Sequence, residues 1–113
     1  MSDAAALDDP ENAKLLTLAR GAMSRIRAAQ GAALRDETGR TYASASVTLP
    51  SRSFSAIALV VAQAAAAGAR SAEAVVVIGE PASPEDRELI GDLDGGNALV
   101  VECAADGSPR PVA

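Results

Sequence analysis

The sequence predicts an α/β domain of three layers, a mixed sheet of four or five strands with helices on both faces. Three observations predict it. Glu73-Ala74-Val75-Val76-Val77-Ile78-Gly79 is an almost unbroken apolar, β-branched run, as a strand covered on both faces requires. Asp9-Pro10-Glu11 and Ser83-Pro84-Glu85-Asp86 each set a capping side chain before a proline, with acids in the first turn that complement the helix dipole. Helical and strand signals alternate along 113 residues, a length suited to one domain.

The elements follow in order. Residues 1–9 read as a disordered arm, 10–105 as the domain and 106–113 as a flexible tail. From Asp9 as N-cap, a first helix carries Leu15, Leu18, Ala19, Ala22, Met23 and Ile26 on one face and ends at Gln30-Gly31. Residues 31–36 form a short strand, Asp36-Glu37-Thr38-Gly39 turns, and 40–47 return as its hairpin partner. Pro50 lies in the following loop. Ser53 then caps a helix over 53–67, closed by Gly68. From 54 to 67 that helix has no charge. A helix apolar all round is normally buried on all sides, and one small domain cannot cover it, so one side is expected to meet another copy of the chain. The run 73–79 follows as a central strand, and Ser83 starts a helix to about Asp92. Asp92-Leu93-Asp94-Gly95-Gly96-Asn97 has Cys103, not Glu, at the twelfth position, so it reads as a turn and not as a calcium loop. Residues 98–103 form the last strand, parallel to the one from Ala74, through a helical crossover.

Composition excludes several kinds of site. With no His, the commonest general base and metal ligand is missing. One Cys, Cys103, allows neither an intrachain disulfide nor a multi-thiolate zinc site, and beside Glu102 it reads as a small buried hydrophobe. A net charge of −5 repels nucleic-acid phosphates, and Tyr42 and Phe54 are the only aromatics for base stacking, so no nucleic-acid partner is expected. Met1-Ser2-Asp3-Ala4 lacks the positive start of a secretory signal, and the longest apolar stretch, 53–68, falls short of the ~18 residues that span a bilayer. A soluble cytoplasmic protein with no membrane contact is the expectation. There is no Gly-rich phosphate loop and no Ser-His-Asp set.

A resemblance rests on particular residues. Leu15-Leu16-Thr17-Leu18-Ala19-Arg20, Gly31-Ala32-Ala33-Leu34, Thr38-Gly39-Arg40, Tyr42 and Val47, the stretch 55–70, the strand 74–78 and Pro84 stand in matching order and spacing. Over roughly 11–107 the chain resembles the small zinc-dependent cytidine deaminases. The resemblance implies their fold and a dimer or tetramer. In that family a Cys or His at the start of the central helix binds zinc, a Glu two residues on moves protons, and a Pro-Cys-x-x-Cys element supplies two further thiolates. The matching positions here are Ser55, Ile57, Glu85 and Glu88. Ser is a poor zinc ligand and Ile moves no proton. The family's sugar-binding Asn-x-Glu falls on Ser46-Val47-Thr48, and the aromatic segment before the first strand is missing at Arg27-Ala28-Ala29-Gln30.

Ser55, Glu85 and Glu88 are therefore vestigial zinc positions, Ile57 a vestigial proton-shuttle position, and Ser46 and Thr48 vestigial sugar-binding positions. No catalytic residue, metal or other cofactor is expected. The expectation is a catalytically inactive binding or interaction module that self-associates through the helix 53–67. Two alternatives stand beside it: an enzyme of altered mechanism using Glu85, Asp86 and Glu88 as a carboxylate cluster, with or without a hard cation, and a non-catalytic subunit of a deaminase-type complex. Ser55 as a nucleophile has no base near it in sequence.

Overall fold

The computed structural model describes residues 3–93 and 97–110. A short helix α1 (Asp3–Ala6) precedes α2 (Pro10–Arg25), β1 (Gln30–Asp36) and β2 (Thr41–Ala45). A two-stranded ribbon follows, β3 (Val47–Thr48) with β4 (Ser53–Phe54). Then come α3 (Ala56–Ala66), β5 (Ala72–Gly79), α4 (Pro84–Asp92) and β6 (Leu99–Cys103). The main sheet has the order β2-β1-β5-β6. β1 is antiparallel to β2 (Gly31 opposite Ala45) and to β5 (Leu34 opposite Val75). β5 and β6 run parallel, with Val76 opposite Val101.

Strand alternation divides the core between the two faces of the sheet. Ala32, Leu34, Val75 and Val77 pack with Ile57, Val60, Val61 and Ile90 beneath α3 and α4. Ala33, Val76, Ile78, Val101 and Cys103 pack with Leu15 and Ala19 of α2 on the other side. The expected three layers, mixed sheet, hairpin and parallel final pair are all present, and Cys103 is buried. Asp9 and Ser83 cap α2 and α4 as their sequences predict.

Other boundaries differ from expectation, each for a physical reason. The cap of α3 is Ser55, not Ser53: Ser55 accepts from the Ala58 amide, while Ser53 and Phe54 pair with Thr48 and Val47 in the ribbon. α2 stops at Arg25, because Arg27 adopts a positive φ of 52°. Its buried face is Asn12, Leu15 and Ala19, whereas Leu18 and Ile26 are exposed. The arm expected to be disordered instead holds α1, with Ala6 buried and its carbonyl accepting from Asn12 Nδ2 at 2.9 Å. The tail expected to be flexible folds back through 110: Cys103 bridges Pro109, and the Arg110 amide donates to Glu102 O at 2.8 Å. The expected turn at Asp94-Gly95-Gly96 and the last three tail residues lie outside the described residues. No helix among the described residues is long and apolar enough to cross a membrane.

The β1–β2 hairpin is pinned by Asp36. Its Oδ1 accepts from the Thr38 amide and hydroxyl and from the Arg40 amide, and its Oδ2 accepts from the Tyr42 hydroxyl at 3.0 Å. Burial works to raise its pKa, but these hydrogen bonds outweigh burial and hold the carboxyl below its ordinary 3.8. A folded-state pKa below the unfolded one stabilises the protein above the unfolded value, and that stability is lost as pH falls through the folded value. Asp36→Asn turns one acceptor into a donor facing donors. It is expected to cost about 1–3 kcal/mol at neutral pH, and to flatten the loss of stability on acidification below about pH 4. Urea titrations of both proteins across that range measure it.

Candidate functional site

At the ends of β1 and β5 lies an open cavity of about 400 Å³. Its walls are the end of β1 (Ala29, Gln30), the β3–β4 ribbon with Ser46, the start of α3 at Ser55, and the segment Glu80 to Asp86 that leads into α4. Five hydroxyls line it: Ser46, Thr48, Ser53, Ser55 and Ser83. Its charged lining residues are Glu80 and Asp86, both acidic.

Side chains knit its floor together. Gln30, 3% exposed, donates through Nε2 to Glu80 O at 3.0 Å and accepts through Oε1 from the Ala56 amide at 2.9 Å. One amide thus joins β1, the β5–α4 connection and α3. Ser55 Oγ accepts from the Ala58 amide at 2.9 Å and donates to Asp86 Oδ1 at 2.6 Å. Asp86 Oδ2 accepts from the Ser83 amide while Ser83 Oγ accepts from the Asp86 amide, both at 3.0 Å, a reciprocal capping box. Behind this floor Glu102 of β6 accepts from the Ala82 amide at 2.7 Å and pairs with Arg87 at 3.1 Å, which holds the loop into α4 against the sheet.

The structure brings Ser46, Thr48 and Ser55 together on the cavity wall. It does not bring Ile57, Glu85 or Glu88 there. Ile57 is fully buried in the core beneath α3. Glu85 and Glu88 are exposed and do not line the cavity, and Asp86 lies between them, 6% exposed and turned inward. Among the described residues, no three His, Cys, Asp or Glu side chains gather as a metal site would require. A zinc ion does not fit this donor set. Ser55 is a hydroxyl already engaged to Asp86 and Ala58, the two glutamates face outward, and Cys103 lies in the core on the opposite face of the sheet.

Gln30 and Asp86 are the floor residues that sequence reasoning did not single out as a pair. Each left a trace. Ser83-Pro84-Glu85-Asp86 has capping-box spacing, which turns the Asp86 carboxyl back toward Ser83. Gln30 is a lone amide at the head of an apolar strand, where a buried polar group must find partners.

Comparison with known proteins agrees with this architecture. A family model described as "Cytidine deaminase-like" matches residues 8–107. The chain is similar to the solved structure of a cytidine deaminase from Burkholderia pseudomallei, with a TM-score of 0.71 and 26% identity over 88% of this chain and 90% of that one. A cytidine deaminase from Mycobacterium tuberculosis shares the fold, with a TM-score of 0.67 and 20% identity over 87% of each chain. One from Mycobacterium leprae does so with a TM-score of 0.65 and 18% identity over 87% of this chain and 90% of that one. No curated protein gives a significant match.

Proposed function

The chain belongs to the cytidine deaminase-like family, and from that premise we propose that it is a non-deaminating member that works as a binding or interaction module. The observation that carries this reading is the start of α3. There Ser55 is closed into a hydrogen bond with Asp86, and Ile57 is packed in the core with no exposure. Zinc deamination needs a metal that lowers the pKa of water from 15.7 to about 7, and a carboxylate that moves protons, a contribution of roughly 10²–10⁴-fold by itself. Neither position holds a group suited to that work.

The cavity supports retained binding of a small molecule, since sites of this kind span roughly 300–1,000 Å³. Its hydroxyl lining suits a polar, uncharged ligand of nucleoside size. Its two acids oppose phosphates. Self-association as a dimer or tetramer through α3 belongs to the same reading, supported by a helix whose exposed residues Ala62, Gln63, Ala65 and Ala66 carry no charge. A cytoplasmic location accompanies it, supported by the acidic composition and a single, buried cysteine.

The test is turnover of cytidine and deoxycytidine by purified, tag-free protein, followed as uridine formation with and without added zinc. No turnover above the uncatalysed rate is expected in either condition. Turnover that a chelator abolishes contradicts the reading.

A further inference from the structure

We propose that the Ser55–Asp86 hydrogen bond is a metal-free clasp that holds the N-termini of α3 and α4 together, and that this junction is complete without a cation. The bond spans 31 residues of sequence and joins two helices that precede and follow β5 in the chain. At 2.6 Å it has the short O–H···O⁻ length of a charge-assisted bond. The side-chain oxygens of Ser55 and Asp86 are all engaged. Ser55 Oγ gives its hydrogen to Asp86 and takes the Ala58 amide. The other carboxyl oxygen of Asp86 takes the Ser83 amide, and Ser83 returns the contact. Gln30 takes the Ala56 amide, so two amides of the first turn of α3, those of Ala56 and Ala58, are served by side chains of this chain.

Electrostatics point the same way. Two helix N-termini, each with a partial positive charge, converge on one inward carboxylate, and their dipoles favour that anion. A divalent cation entering between them would find no thiolate or imidazole and would have to break the Ser55–Asp86 bond, with Glu85 and Glu88 outside it.

The test is a double-mutant cycle on thermal unfolding with Ser55→Ala, Asp86→Ala and the double variant, each with chelator and with added zinc. Each single variant is expected to lower the midpoint by about 5–10 °C, because each loses a cap as well as the clasp. The double variant is expected to fall about 4–8 °C short of the sum, the signature of coupled partners. The wild-type midpoint is expected to stay unchanged by chelator or zinc. Additive losses overturn the proposal. A wild-type midpoint that zinc raises or chelator lowers overturns it too. If Asp86→Ala does not fold, Asp86→Asn, which keeps an acceptor for the Ser83 amide, completes the cycle on the same terms.

Discussion

Gly79→Ala is expected to destabilise the protein by about 3–5 kcal/mol, a large part of the 5–15 kcal/mol that holds a typical domain folded. Two effects act together. Gly79 has φ +90°, where an L side chain is strained, and a Cβ built there would lie 2.2 Å from Ala29 O. That carbonyl cannot step aside, because it accepts the Glu80 amide at 3.0 Å and stands where β1 and β5 meet, with Gln30 opposite Gly79. The damage falls on the cavity, since Ala29, Gln30 and Glu80 all line it. Gly21→Ala is the internal control. Gly21 lies in α2 with nothing within 4 Å of a new Cβ, so the substitution is expected to stabilise by about 0.5–1 kcal/mol. Chemical denaturation of the two variants beside the wild type measures both. A Gly79→Ala variant as stable as the parent would show that the β1–β5 seam is loose enough to move Ala29 O away from a Cβ at position 79.

Ile57→Glu is expected to cost several kcal/mol and to restore no deamination. On the sequence this change puts back the acid that the zinc deaminases carry at that position. In the structure Ile57 has no exposure and packs among Ala32, Leu34, Val60 and Val77. A carboxylate there would be buried without a partner, and the core would lose its apolar contacts. Ile57→Val, which removes one methyl group, is expected to cost only about 0.5–1.5 kcal/mol. Unfolding midpoints and the cytidine assay on both variants decide the matter. A stable Ile57→Glu protein with wild-type cooperativity would show that position 57 reaches the cavity.

The contrast between these two residues shows what the sequence could and could not convey. Ile57 was readable as core because it is apolar on an apolar helix. Gly79 carried no local sign of its contact with Ala29, which exists only once β1 and β5 pair. The same distinction explains the elements. β5 announces itself by an unbroken β-branched run, and α2 and α4 by Asp9-Pro10 and Ser83-Pro84, all local signals. The cap of α3 was ambiguous, because Ser53 and Ser55 are both competent caps, and pairing of Phe54 with Val47 decides between them. Asn12 fills the buried face of α2 because it bonds Ala6 O and accepts from Arg35 Nη2 at 3.0 Å, two contacts no helical periodicity reveals. Leu18 and Ile26 are left outside as a result.

The site divides in the same way. Ser46, Thr48 and Ser55 were found by position within a family pattern, and the structure sets all three on one cavity. Glu85 and Glu88 were found by the same pattern and face away from it. At the start of α4 the capping box selects the residue between them, because Ser83 and Asp86 satisfy each other's amides and so turn Asp86 inward toward Ser55. Spacing alone shows the Ser83–Asp86 half of that arrangement. The Ser55 half appears only when two distant helices come to lie side by side.

The most direct measurement is the metal content of tag-free protein by elemental analysis, after purification without chelator and dialysis against zinc-containing and then metal-free buffer. A chain whose helix junction is closed by Ser55 and Asp86 will hold zinc far below one ion per chain. One tightly held zinc per chain would contradict the account.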